Sequence, residues 1–463
     1  MGASHVASQR ATSDGRAALQ RLAADALDYH GPAPASPEHA KAVTCLLDFF
    51  SCAFEAMEQP WTRQAVAVCA RLDAGSTVIG RDFRTTAEDA AFANAVAGHG
   101  LVREDMHAGS ISHLGVVVWP TLLALAETRA MSGRDLLRGA VVGYEVGGRL
   151  GRQLVTPEVA RLFRPTGLVG PLAAAAAGAV AIHLDCITTA SAMALAANCS
   201  AGLNEWAANG ADEMYFHPGF AARNAIRSLA LAEHGAWGSP SVLEGSAGLF
   251  AGFARTPLQG AIELFPGARA EVLAVFNKPV PACNFAQSPC QAALAAIARA
   301  GCDSRRIRSV DVHASTAAIT YPGCDARGPF TRPLQAKMSI AFGVAAAIAR
   351  GGGEEGNYAL LDDAEITRLI GATSLIVDPD IDVAFPQRQA ARVTLELDDG
   401  SRLSAAYDDV VAATPEFVRE RFRAAADAAV GQGARERLED LVTGLADLDD
   451  CAALSRAAAG KQQ

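Results

Sequence analysis

The sequence predicts a mainly α-helical fold: a large helical domain, a smaller α+β unit after about residue 272, and a return to helix at Pro415 that makes the α+β unit an insertion if it rejoins the first domain. Three observations carry this expectation. Ala, Leu and Val dominate a chain whose aromatic content is only 6%, and apolar residues recur at helical spacing as far as about residue 270. Beyond that point β-branched segments and an Asp-Gly turn appear. Helical spacing then returns at Pro415, and 463 residues are enough for two cores.

Taken in order, Ser36-Pro37-Glu38 reads as an N-cap followed by proline at the first helical position. Leu46, Phe49, Phe50, Ala53 and Phe54 then fall on one stripe. Further helices are expected at about 87–99, 114–131, 134–151, 166–183, 187–202, 219–234 and 258–265. Gly167, Gly170 and Gly178 in the very apolar 166–183 segment point to close helix packing rather than a phosphate loop. Arg306–His313 has strand character, and Ala391–Leu397 with Arg402–Tyr407 reads as a hairpin turning at Asp399-Gly400. Gln335–Arg350 is helical between them, and helices are expected again at Pro415–Ala429 and Ala434–Leu448. The resulting division is a main domain over 16–272 completed by 415–455, a lid over 273–414, and disordered tails at 1–15 and 456–463.

Formal net charge is −10, and no basic run or aromatic-interleaved patch appears, so nucleic acid is not an expected partner. Ten scattered cysteines, with no CxxC and no zinc-type spacing, suit free thiols in a reducing cytosol. Residues 1–15 lack a signal-peptide core, and Pro171–Ile182 falls short of the ~20 apolar residues of a membrane span. A cytoplasmic protein without a membrane partner is expected.

The stretch His99–His113 places three histidines, Glu104, Asp105 and Arg103 between two apolar helices. Such a polar island must satisfy its groups with one another or with a ligand. His107 and His113 can titrate near neutral pH, and Glu104 or Asp105 can orient an imidazole, which suits proton abstraction next to a carboxylate. The plainer alternative is helix capping and surface pairing. A metal site on Asp105, His107 and His113 is the third reading, disfavoured because the spacing matches no helical ligand pair. Arg164, just before a helix N-terminus, offers a guanidinium fork to a carboxylate, or is an ordinary surface arginine. Lys278 stands at the domain boundary, where an interdomain cleft would lie, or is a loop lysine. Gly143–Gly151 superficially resembles a nucleotide loop, but it follows no strand.

At these segments the chain resembles the MmgE/PrpD family. The matching text includes "FANAVAGHGLVREDMHAGSISHLGVVVWPTLLALAE", "GYEVGGRLGR", "FRPTGLVGPLAAAAAG", "MYFHPGFAARNA", "NKPVPACNF" and "RPLQAKMSIAFGVAAAI", in family order over about residues 40–425. The resemblance implies a large all-helical domain formed by N- and C-terminal segments with an inserted α+β lid domain, a homodimer, a cleft between domain and lid, and no metal or organic cofactor. It also implies a lyase or isomerase acting on a small polycarboxylate. This chain departs from the family pattern at Val102 and Met106, where Asp and Thr usually stand, at Arg164 in place of His, and at Met214 in place of Lys.

His113, Asp105 and Lys278 are therefore the expected catalytic residues. Arg103, His107, Arg164 and His217 are the expected substrate-binding residues, and no metal ligand is assigned. Val and Met cannot transfer protons, so a decarboxylase arrangement cannot operate unmodified. Dehydration is the leading expectation. Decarboxylation, epimerisation, a biosynthetic reaction on a non-citrate acid, and a non-catalytic acid-binding protein are the alternatives.

Overall fold

The structure, a computed structural model, describes residues 17–460, so the tail expected at 1–15 lies outside the described residues. The Ser36 hydroxyl accepts the His39 N–H at 3.2 Å and Pro37 opens the helix Pro37–Glu55. Thr86 caps Ala87–His99 in the same way, and Ser132 with Asp135 forms a capping box that starts Gly133–Leu154. The helices Gly115–Ala126, Pro165–Ala181 and Cys186–Ala197 are apolar on nearly every side and lie in the interior.

In the N-terminal part, two helical expectations need correction. The helix expected over 219–234 begins earlier, at Glu213, and carries Pro218 within it. The helix expected over 258–265 does not form: Gly260 and Phe265 adopt φ of 71° and 52°, and the Phe265 N–H donates to the buried Glu145 at 2.6 Å. Apolar residues there pack as a tethered loop.

In the C-terminal region the strand Ile307–Ala314 runs parallel to Thr373–Val377 and antiparallel to Ala391–Leu397, which pairs in turn with Arg402–Tyr407. Gly400, at φ 83°, closes the expected hairpin. The expected helix 335–350 is divided at Ser339, whose extended backbone separates Pro333–Met338 from Ile340–Arg350 and whose hydroxyl caps the second piece. The result is a mainly α fold with small sheets.

Helix Pro415–Ala429 returns to the first helices. Phe422 packs on Phe54 with ring centroids 6.5 Å apart, and Arg421 meets the buried Asp48 at 2.9 Å. Gly133 admits the backbone of Leu445, since a Cβ there would lie 1.5 Å from its carbonyl oxygen. The tail expected from 456 is folded as far as 460: the helix Ala452–Ala457 precedes a buried Ala458, and the Gly460 N–H donates to Arg81 O at 2.9 Å. One apolar core joins the N-terminal helices to residues 413–458, and a second joins the sheet to Ile340–Arg350. Trp61 and Tyr215, stacked at 3.8 Å, belong to the second, so the helical part supplies one wall of the sheet-bearing part. Among the described residues no helix is long and apolar enough to cross a membrane.

Candidate active site

Helix Ala87–His99 ends on the first residue of the polar island, and the chain then turns through Val102 at φ 58°. Met106–His107 pairs antiparallel with Val275–Phe276, and the chain leaving that strand brings Lys278 against Val102. A second left-handed residue, Ile111 at φ 49°, redirects the chain to His113. The His113 backbone N–H donates to Thr166 Oγ1 at 3.0 Å, tying it to the start of helix Pro165–Ala181. Arg164 immediately precedes that helix and holds its own N–H on Gly202 O at 2.9 Å.

Glu104 lies at the centre of this arrangement. Its Oε1 is 2.6 Å from His99 Nδ1 and 2.7 Å from His113 Nδ1, and all three side chains are buried. A carboxylate can only accept, so both imidazoles carry their proton on Nδ1. Arg164 Nη2 lies 3.3 Å from His99 Nε2, and a guanidinium can only donate, which agrees with that tautomer. His113 is left with an unprotonated Nε2, the nitrogen a general base uses.

Burial drives His113 down to about 3, with Glu104 opposing the shift and Lys278 adding to it. His99 is lowered by burial against the pull of Glu104. Burial pushes the Glu104 carboxyl up, but the two imidazole donors outweigh it and hold it well below the usual range. The buried state is thus an ionised carboxylate receiving protons from two neutral rings. Both Nδ1 atoms and Glu104 Oε1 lie within 4.8 Å of one another, a spacing open to a metal ion. The nearby charges of Arg164 and Lys278 oppose a further cation there.

His113 and Arg164 line a narrow, tightly closed cavity. Asn284 and Tyr321 line it as well, and Asn284 Oδ1, the Tyr321 hydroxyl and Arg164 Nε are buried without a hydrogen-bond partner. Orphaned polar atoms converging on one cavity are the signature of a polar ligand site. Val102, Met106, Ile111, Met214, Phe285 and Met338 form its apolar wall.

The structure places His113 and Arg164 on one cavity and the other candidates elsewhere. Asp105 does not orient His113 with its carboxylate: Oδ2 accepts from the Tyr144 hydroxyl and Oδ1 from Gly115 N–H at 3.2 Å, and only its backbone carbonyl approaches His113 Nδ1. Burial raises the Asp105 carboxyl to about 6, against the Tyr144 bond. Gly115 is required here because a Cβ would fall 2.4 Å from Asp105 Oδ2. Arg103 turns to the neighbouring helix, meeting Glu55 at 2.7 Å and Ser51 at 3.1 Å, so it does not face the cavity. His107 is fixed between Ser110 at 2.7 Å and Glu271 at 2.6 Å, in a structural network outside the cavity.

Lys278 is fully buried, with Nζ donating to Val102 O and to Ala282 O at 3.0 Å, and burial lowers it to about 8 against the pull of Glu104. It holds the wall and does not line the cavity. His217 sits beside Arg164, the two flanking Gly202, and its Nδ1 is buried without a partner. Sequence reasoning assigned no role to His99, Asn284, Tyr321 or Lys337. Lys337 donates to Leu101 O at 2.9 Å, Pro281 O at 3.2 Å and Glu355 at 2.5 Å. A lysine inside the apolar segment "LQAKMSIAF" was the available signal for it.

Two family models match the chain: the MmgE/PrpD N-terminal domain over residues 20–259 and the MmgE/PrpD C-terminal domain over residues 280–447. The chain is 26% identical over 455 residues to the cis-aconitate decarboxylase-like protein oryM of Aspergillus oryzae, covering 89% of this chain and 92% of that protein. It is 25% identical over 445 residues to cis-aconitate decarboxylase of Aspergillus terreus, covering 89% and 90%. Against cis-aconitate decarboxylase of Homo sapiens, identity is 34% over 185 residues, covering 39% of this chain and 38% of that protein. With both halves of the family pattern matched in order, the chain belongs to the MmgE/PrpD family.

Proposed function

We propose that the protein is a lyase-type enzyme that removes a proton from the carbon next to a carboxylate of a small acid, with His113 Nε2 as the base. The observation that carries this is the Glu104–His113 contact, which puts the proton on Nδ1 and leaves Nε2 bare on a ring that lines the cavity. Family membership and relatives named as cis-aconitate decarboxylases support a lyase acting on a small acid. Arg164 holds the carboxylate, and that bound negative charge raises the affinity of His113 for a proton, so basicity is restored when the site is filled.

Dehydration is the preferred outcome. With its Nδ1–H donating to Glu104, His113 carries no proton on the Nε2 that faces the cavity, which favours C–H removal over a decarboxylation that begins with protonation. The Tyr321 hydroxyl, unpartnered at the cavity, is the acid for the departing hydroxyl. Deuterium wash-in from solvent, followed by NMR on a panel of hydroxy acids, tests the step. Exchange by the wild type that falls at least ~100-fold in His113→Asn supports it; exchange unchanged in that variant refutes the role of His113. The apolar residues Val102, Met106 and Met214 at the cavity favour a second reading, an acid-binding protein without turnover. Binding with no exchange for any acid in the panel would select it.

A further inference from the structure

We infer that the cavity takes an acid bearing one carboxylate on an apolar body, with one neutral oxygen function, rather than a di- or tricarboxylate. This rests on the proposed reading of the cavity as the substrate site. Four cationic side chains stand in or near the site, and their contacts separate them. Lys278 donates to Val102 O and Ala282 O. Lys337 donates to Leu101 O, Pro281 O and Glu355. Arg103 is paired with Glu55 and Ser51. Among the described residues, only Arg164 both lines the cavity and keeps an unpartnered buried donor, Nε.

The remaining charge balance points the same way. Glu104 is a buried anion close to the site, and His99, His113 and His217 are held neutral by burial, so none of them supplies positive charge. A second substrate carboxylate would have to lie against Met106, Met214, Met338 or Phe285, desolvated and unpaired. That is an unfavourable place for an anion and a favourable one for hydrocarbon. Asn284 Oδ1 and the Tyr321 hydroxyl are neutral and unpartnered, which suits a hydroxyl or carbonyl oxygen. A hydroxy or oxo monocarboxylic acid matches each of these groups.

Titration calorimetry of the wild-type chain with 3-hydroxyhexanoate and with propane-1,2,3-tricarboxylate decides the matter. The hydroxy acid is expected to bind at least about tenfold more tightly, and Arg164→Gln to lose at least about tenfold in that affinity. Met214→Lys, which returns a cation to the wall, is expected to shift the preference toward the tricarboxylate by about tenfold or more. Far-UV circular dichroism confirms folding of both variants, and the wild-type comparison depends on neither. Tricarboxylate binding as tight as or tighter than that of the hydroxy acid, or binding of neither, overturns the inference. Selective hydroxy-acid binding without deuterium exchange at its C2 would instead refute the catalytic reading and leave the ligand class standing.

Discussion

Arg164 Nη2 lies 3.3 Å from His99 Nε2, and this contact fixes the far end of a chain that runs through Glu104 to His113. His99 does not line the cavity, so in the proposed reaction its part would be to position Glu104. His99→Phe keeps a ring of similar size and removes one of the two donors to Glu104. We expect kcat for exchange to fall about 10–100-fold with little change in KM. Steady-state kinetics that instead show KM rising with kcat intact would place His99 in ligand binding.

Glu104→Gln tests the other end of the chain. The carboxylate raises the proton affinity of His113 against burial, so its loss lowers that affinity further. Exchange should drop roughly 100-fold, and the acid limb of the pH–rate profile should move to lower pH. Movement to higher pH would contradict the arrangement.

Val102 is a buried β-branched residue at φ 58°, a conformation that disfavours a side chain. Both Val102→Ala and Val102→Gly remove its methyl contacts, but only glycine adopts the backbone freely. The glycine variant should be the more stable of the two by about 1 kcal/mol, reversing the usual order. Denaturant unfolding of the pair gives the answer, and a more stable alanine variant would mean the loop relaxes.

Lys337 has no exposed side-chain surface and meets Glu355 at 2.5 Å. Lys337→Met strands that carboxyl and withdraws a donor from Leu101 O and Pro281 O, a loss of about 3–5 kcal/mol. Burial already raises Glu355 against the pull of Lys337, so the destabilisation should shrink at pH 5, where the stranded carboxyl takes up a proton. Chemical unfolding at pH 7 and pH 5 checks both parts.

Acid should destabilise the protein well above the carboxylate range. Burial lowers His113 and His217 from 6.5 to about 3 in the folded chain. Between those values the unfolded chain binds more protons, so stability rises with pH across the window and is lost as pH falls through it. His217→Phe, which removes one such group, should flatten the decline of Tm between pH 7 and pH 5. An unchanged slope would show that His217 does not contribute to it.

Much of the frame was legible because caps and periodicity act locally: Ser36, Thr86 and the Gly400 turn all appear where their chemistry requires. The loop at 258–265 was not, since its apolar residues are fixed by a bond from Phe265 to a distant glutamate. Around the candidate cavity, the sequence singled out His113 and Arg164, which line it, but favoured Asp105 over its neighbour Glu104 as the partner of His113. Which of two adjacent carboxylates meets an imidazole depends on the twist introduced by Val102 and Ile111, and no spacing rule encodes that. Arg103 misled for a similar reason, because its partner Glu55 lies on another helix.

Lys278 and Lys337 both bridge the same two loops, one joining Val102 O to Ala282 O and the other Leu101 O to Pro281 O. Each ammonium is fully buried and spends its donors on carbonyls of both loops, so the two segments are cross-linked by charge-assisted hydrogen bonds. The wall beside Val102 is thus held by two buried ammonium groups rather than by hydrocarbon packing alone, and removing either one leaves carbonyls of that seam without their donor.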